Sequence, residues 1–250
     1  MITIRDIGRW VTKRLPMLDE FARTVYGRLP PSWHDTPTSR LAAFYADKPS
    51  VTFLQIGAFD GIAGDPLRPL ILSNPRWSGL LVEPQPAAFE RLQRNYATAG
   101  ERIRFLNGAI AEENGEIDFF FVSPDEIRRR GFPSWYEELA SFDRSNIEQH
   151  APEATIEQTK IGATTVAVAL AKGGFQAVDC IVLDVEGQEP RILHNIDFDQ
   201  LGVTFLIFEH KHLREAELQA LHEHLRNARF AIKEFGRDTI AWRVLEHVTA

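Results

Sequence analysis

Four short clusters in this 250-residue chain combine residue types that do chemistry. In "TFLQIGAFDGIAGDP", from Thr52 to Pro66, Gly57 and Gly61 bracket Ala58, Phe59 and Asp60 directly after an apolar run. Lacking a Cβ, such glycines let the backbone approach a ligand closely. The pattern is not GxGxxG, and the anionic Asp60 repels a pyrophosphate and suits a cation. A second apolar run ends on Glu83, where a carboxylate can accept hydrogen bonds from both hydroxyls of a ribose. "DVEG", from Asp184 to Gly187, and "EHKH", from Glu209 to His212, close two further apolar runs with acids and imidazoles. Asp184, Glu186, Glu209 and His210 are the groups that can take a proton from a hydroxyl. His210 has the unperturbed pKa best suited to a base near neutral pH. Asp184, Glu209 and His210 also form a donor set that suits a divalent cation, magnesium or manganese, without a short ligand motif such as HExxH to select it. Glu186 and Glu189 have a plainer use, offsetting the N-terminal dipole of a following helix, and His194, His222 and His224 read as solvated.

For these clusters to meet, the strands they follow must lie side by side. From Val51 onward, short apolar runs ("VTFLQIG", "GLLVE", "RIRFLNGAI", "VDCIVLDV", "VTFLIFEH") alternate with helical patterns, which predicts a doubly wound α/β sheet with helices on both faces. Ligands of such sheets bind beyond the carboxyl ends of the strands, where the strand order reverses. Asp65 reads as an N-cap with Pro66 at the first helical position. "GEIDFFFV" alternates as an added edge hairpin, and "FAIKEF" and "TIAWRVLE" are close enough to form an antiparallel hairpin around residues 236–238. The stretch from Ser123 to Thr164 reads as irregular and is too long for an ordinary connection. Residues 123–163 are therefore read as a lid or acceptor-binding insertion, with Trp135, Tyr136, Ser141 and Phe142 as pocket residues. Arg128, Arg129 and Arg130 read as a solvated run that can also face an anionic acceptor. Near the N-terminus, Ile4, Ile7, Val11, Leu15 and Leu18 recur at helical spacing among basic residues. This amphipathic helix is expected to dock on the domain or on a second subunit, a route to a homo-oligomer. Residues 1–40 are read as this extension and its linker, and 41–250 as the main domain.

Composition narrows the function classes. With 44% hydrophobic and 25% charged residues the chain can bury a full core. A net charge of −7 argues against a nucleic-acid partner, which needs a concentrated basic face. No stretch reaches the roughly 20 apolar residues that span a bilayer. The single cysteine, Cys180, lies within an apolar run, so no disulfide framework forms and a reducing, cytoplasmic compartment is expected.

A ribose joined to a positively charged, phosphate-free tail is what this arrangement would take, and S-adenosyl-L-methionine is such a ligand. The chain also resembles the FkbM-type S-adenosylmethionine-dependent methyltransferases through "FLQIGAFDGIAGDPL", "WSGLLVEPQPAAFERLQRNY", "LNGAIAEENGEIDFF", "IVLDVEGQEPRIL" and "LIFEHKHL", over roughly residues 50 to 245. The resemblance implies a class I methyltransferase, a Rossmann-like, mostly parallel seven-stranded sheet in order 3-2-1-4-5-7-6 with the last strand antiparallel, and transfer to an oxygen. Carried over by position, Gln55, Gly57, Ala58, Asp60 and Gly61 face the methionine half of the cofactor. Glu83 and Pro84 face its ribose, Asn107 and Ala109 lie near its adenine, and Asp184 completes the set. Many class I enzymes have an acid where Gln55 stands and a glycine where Phe59 stands, which leaves Asp60 as the substitute holder of the methionine amino group. The expected acceptor is a hydroxyl of a glycan or other small molecule. A NAD-dependent oxidoreductase is the runner-up, disfavoured by the missing phosphate-binding glycines. A non-catalytic S-adenosylmethionine-binding scaffold is the third reading.

Overall fold

A computed structural model describes residues 35–243, so the amphipathic segment expected near the N-terminus lies outside the described residues. The chain enters through helix α1 (Pro37–Phe44), capped by the Thr36 side chain and with Pro37 in its first turn. This helix spans the expected boundary at residues 40–41 and buries Leu41 against the domain. There follow β1 (Val51–Ile56), α2 (Arg68–Ser73), β2 (Trp77–Glu83), α3 (Pro86–Asn95) and β3 (Ile103–Asn107). The chain then runs through β4 (Ala109–Ile110), β5 (Gly115–Val122), α4 (Pro124–Arg130), β6 (Ala140–Ser141), α5 (Arg144–His150), β7 (Ile156–Thr164) and α6 (Val166–Gly173). It ends with β8 (Cys180–Leu183), α7 (Glu189–His194), α8 (Phe198–Leu201), β9 (Phe205–Glu209), α9 (Glu215–Asn227), β10 (Ala231–Phe235) and β11 (Asp238–Trp242).

The main sheet has seven strands in the order β3-β2-β1-β8-β9-β11-β10. Counted within that sheet alone this is 3-2-1-4-5-7-6. Pairing is parallel from β3 through β9, while β11 runs antiparallel to both β9 and β10. Phe235 pairs with Asp238 across a two-residue turn at Gly236, whose φ of +65° suits a tight hairpin.

The strands are apolar on both faces because helices cover both. Leu54, Ile56, Leu80, Val82, Ile181 and Leu183 point to one face and pack with Leu170, Leu193 and Leu221 from the helices. Their neighbours Val51, Phe53, Leu81, Cys180 and Val182 point to the other and pack with Leu41, Ile71 and Leu92. Cys180 is fully buried, and burial pushes its thiol well above the ordinary range, so it is chemically quiet.

Two elements differ from the sequence expectation. The strand "GEIDFFFV" does not add to the edge of the main sheet; β5 pairs along its whole length with β7, a strand lying within the stretch read as irregular. With β4 and β6 these form a second, four-stranded sheet in the order β4-β7-β5-β6. Its own small core holds Val122, Ile127, Tyr136 and Ile147. Helix α2 also begins later than expected. The helix starts at Arg68 with Leu67 as its N-cap and no side-chain cap bond, so Asp65 is not the N-cap and Pro66 precedes the helix. The Asp65 Oδ1 instead holds the approach to it through the backbone N–H groups of Leu67 (2.8 Å) and Arg68 (3.1 Å). Among the described residues no helix is long and apolar enough to cross a membrane.

Candidate active site

The strand order reverses between β1 and β8, and the two strand ends there come unusually close. A Cβ added to Gly57 would stand 1.8 Å from the Asp184 carbonyl oxygen, and Gly57 has φ +80°. Only glycine lets the chain leave β1 at this point. The Gly57 and Ala58 N–H groups both bond the Val82 carbonyl, at 3.0 and 3.1 Å, which draws the turn across the end of β2. Gly61, φ +71°, packs the far side of the turn against Tyr96 and Leu92 of the α3 region.

Beyond these strand ends lies a cavity of about 660 Å³, walled on one side by β1, β2 and β8 and on the other by the second sheet and its insertion. Glu83 forms part of its wall. The side chain is buried, accepting the Phe59 N–H (2.7 Å) on Oε2 and the Gln85 N–H (2.8 Å) on Oε1. Burial pushes its carboxyl up to about 7, against the lowering effect of those two bonds and of Arg91. Each carboxylate oxygen keeps a lone pair for a ligand hydroxyl.

The opposite end of the cavity is dense in charge. Asp184, Glu186, Glu209 and Lys211 all line it. The Lys211 ammonium lies 2.9 Å from Glu209 Oε2 and 3.8 Å from Glu186 Oε1. His212 Nε2 lies 2.5 Å from Glu186 Oε2 and 3.6 Å from Glu209 Oε2. The 2.5 Å contact is close but not aligned as a hydrogen bond, and both His212 Nε2 and Glu209 Oε2 are buried atoms without an aligned partner. The Asp184 side chain is exposed to the cavity. The surrounding walls nevertheless withhold bulk water, and this desolvation, reinforced by the charges of Glu209 and Glu186, raises its carboxyl well above the usual range. Burial works the same way on Glu186, but His212, Lys211 and His150 outweigh it and hold that carboxyl below its ordinary value. Burial opposes the ammonium of Lys211, yet Glu186, Glu209 and Asp184 raise it.

Glu186 adopts a left-handed φ of +52°, strained for a residue with a Cβ. Its carbonyl is held by Asn146 Nδ2 of α5 at 3.1 Å, and Gly187 follows with φ +98°, a backbone conformation that a side chain would strain. Glu189 is buried under this loop, accepts the Val185 N–H at 3.0 Å, and is pushed up by burial to about 7.

Of the residues singled out in the sequence, Gly57, Glu83, Pro84, Ala109, Asp184, Glu186 and Glu209 line the cavity. The others do not. Asp60 turns its Oδ1 to the Ile62 and Ala63 N–H groups (2.8 and 3.0 Å), bracing the turn, and is not among the cavity-lining residues. Gln55 is buried and donates to Asp65 at 3.3 Å. Asn107 donates to the Glu83 and Pro84 carbonyls at 2.8 and 3.2 Å, steadying the wall from behind.

His210 is a correction to the expected base and metal donor: its Nδ1 meets Thr239 Oγ1 at 2.8 Å, away from the acids. Alternation along β9 explains this. Phe205 and Ile207 face one side of the sheet and Leu206 and Phe208 the other, so Glu209 and His210 must diverge. His212, past the end of the strand, is the imidazole that reaches Glu186. Glu186, Glu209 and His212 therefore replace Asp184, Glu209 and His210 as the three donors that converge, each offering an atom within 4.8 Å of the others.

The insertion supplies Trp135, Glu137, Ser141 and Phe142 to the cavity, and β5 adds Phe119. Tyr136 instead packs into the insertion's own core. Arg128 and Arg129 pair with Asp125 and Glu126, and Arg130 lies 5.0 Å from the Phe132 ring centroid, all away from the cavity. His222 is buried rather than solvated, and burial lowers its pKa. The His194 and His224 rings meet at a tilt of 37° with centroids 4.4 Å apart.

A sheet of this order, with a charged cavity at its switch point, defines a class I methyltransferase fold. Residues 55–236 match the Methyltransferase FkbM domain family, and the chain belongs to that family. No curated protein matches it. Among solved structures it is similar to a delta-N METTL16 MTase domain, with 11% identity over 84% of this chain and 80% of that one and a TM-score of 0.45. It is also similar to a precorrin-6y C5,15-methyltransferase from Geobacter metallireducens GS-15 (10% identity, 83% and 87% covered, TM-score 0.43). A third is the N-terminal domain of human METTL16 in complex with SAH (12% identity, 84% and 68% covered, TM-score 0.43).

Proposed function

We propose that this methyltransferase moves the methyl group of S-adenosyl-L-methionine to a hydroxyl of a small-molecule or glycan acceptor. The observation that carries the reading is one continuous cavity with the buried Glu83 at one end and the Asp184, Glu186 and Glu209 carboxylates at the other. An acid at the end of β2 suits ribose hydroxyls, and a carboxylate-lined chamber suits a sulfonium and repels the diphosphate of a nicotinamide cofactor. The volume falls in the range of ordinary ligand pockets and leaves room for an acceptor beside a donor. When bound, the donor supplies an activated methyl on a leaving group that departs as a neutral thioether.

The protein's task is then to align the acceptor oxygen and take its proton. Phe119, Phe142 and Trp135 offer apolar faces on the acceptor side, as sugars favour. Glu186 accepts the hydroxyl proton, and His212, in contact with it, stabilises or receives that proton. The strained φ of Glu186 supports a working role over a scaffold without chemistry. The Lys211 ammonium already offsets the acidic cluster, so no divalent cation is called for there. The single buried Cys180 accords with a reducing compartment.

Calorimetric titration of the full chain with S-adenosylmethionine, S-adenosylhomocysteine and NAD tests the donor. Binding of the first two and not the third is expected; binding of NAD alone overturns the proposal. Mass spectrometry of cell extract incubated with the protein and methyl-labelled donor then identifies the acceptor, with label expected on oxygen and unchanged by a chelator. Label on nitrogen or carbon, or none after chelation, would remove the corresponding part of the reading.

A further inference from the structure

Phe59 stands where a large side chain is out of place. Its φ is +46°, a left-handed conformation that glycine adopts freely and a residue with a Cβ adopts under strain. The usual compensation would be burial of the ring in a core, and Phe59 does not have it. It is only half-buried and packs into none of the hydrophobic clusters on either face of the main sheet or within the insertion. Phe59 lines the cavity instead.

Both ends of the residue are fastened to groups that shape that cavity. The Phe59 N–H donates to Glu83 Oε2 at 2.7 Å, which ties its backbone to the acid assigned to the ribose. The Arg91 guanidinium lies 5.3 Å from the ring centroid and pairs with Glu137, itself a cavity residue, at 2.9 Å. A cation held against an aromatic ring steadies its orientation. The turn therefore carries a strained, braced and incompletely buried aromatic ring beside the hydroxyl-binding acid.

We infer that Phe59 is a donor-binding residue whose ring packs against the nucleoside half of S-adenosylmethionine, on the ribose side next to Glu83. This rests on the donor reading proposed above and goes beyond it, since a glycine would satisfy the turn. A planar, weakly polar face suits a purine and the carbon-bound face of a ribose, and leaves the sulfonium and its methyl to the carboxylates at the other end.

Calorimetry on the full chain with S-adenosylhomocysteine and with adenosine as probes tests it, using F59G, F59A and F59Y. F59G frees the backbone and removes the ring, F59A removes the ring and keeps the strain, and F59Y keeps the ring. F59G and F59A are each expected to bind both probes about tenfold more weakly, the scale of one stacking contact, and F59Y to stay within about threefold of the parent. Thermal unfolding confirms that each variant is folded. Affinities of F59G and F59A within about twofold of the parent overturn the role of the ring. Weakening for S-adenosylhomocysteine with none for adenosine overturns its assignment to the nucleoside half. A parent chain that binds neither probe removes the donor reading itself, an outcome separate from the other two.

Discussion

At the residue scale, the site is built by carboxylates kept in places where charge is costly. Glu83 and Glu189 are both buried and both pushed up to about 7. A carboxyl whose folded pKa lies above its unfolded one costs nothing while both states are protonated, and costs more as the unfolded state ionises first. Stability is therefore lost as pH rises from the ordinary carboxyl value toward 7, and the loss levels off above it. For Glu83, with an unfolded value near 4.5, the difference amounts to on the order of 3 kcal/mol. Urea denaturation of the ligand-free chain at pH 5 and pH 8 should show the parent losing stability over that interval and E83Q losing roughly that much less. The same substitution should weaken S-adenosylhomocysteine binding by about 1 to 3 kcal/mol, because a buried acceptor of ribose hydroxyls is gone. An E83Q chain with the parent's pH dependence and affinity would mean the Glu83 carboxylate is neither strained by burial nor in contact with the ligand.

At the scale of elements, the close approach of the β1 and β8 ends is the joint on which the cavity depends, and glycine makes it possible. Gly57 and Gly64 both have left-handed φ, but a Cβ at Gly57 collides with the Asp184 carbonyl while one at Gly64 meets nothing within 4 Å. G64A should cost only the conformational penalty, about 1 to 2 kcal/mol. G57A adds a backbone collision and should cost about 2 to 5 kcal/mol and disorder the Asp184 loop. Equal destabilisation of the two variants by chemical denaturation would show that the strand ends are not in contact as described. The joint was legible in the sequence because a glycine after an apolar run, with acids after later runs, is a local signal. The central strands were legible for the same reason: β1, β2, β8 and β9 are apolar runs buried on both faces, while the edge strands β3 and β10 are more exposed. The second sheet was not. The β7 segment "IEQTKIGAT" alternates weakly, and its partner β5 lies more than thirty residues earlier, so only tertiary pairing reveals it. His210 was preferred on its pKa alone; counting outward along β9 by twos would have turned it away from Glu209, whereas His212 lies past the strand end, where alternation no longer applies, and only the folded chain brings it to Glu186. Asp60 and Asn107 spend their side chains on backbone groups, Asp60 on its own turn and Asn107 on the carbonyls of Glu83 and Pro84 at the end of the adjacent strand, and only the second depends on tertiary pairing.

At the scale of the whole molecule, two sheets with separate cores enclose one cavity, and the contacts between them converge on it. Gln85 donates to the Glu137 carbonyl at 3.3 Å, Arg91 pairs with the Glu137 side chain, and Asn146 holds the Glu186 carbonyl. The insertion thus touches the main sheet at both ends of the site, next to Glu83 and next to Glu186. Its own clusters are small beside the two that flank the main sheet. A segment with few buried apolar contacts opens at lower free energy than the core to which it is attached. Amides of residues 134–146 should therefore exchange with solvent deuterium faster than those of β1, β2 and β8 in the free protein. A ligand that fills the cavity binds the closed arrangement and stabilises it by about 2.7 kcal/mol at a hundredfold excess over its dissociation constant. Saturating S-adenosylhomocysteine should then slow exchange at three places together: the 57–64 turn, the 184–187 loop and the 134–142 segment of the insertion. Protection of the turn and loop with no change in the insertion would separate the second sheet from the donor half of the site, leaving it to act on the acceptor alone.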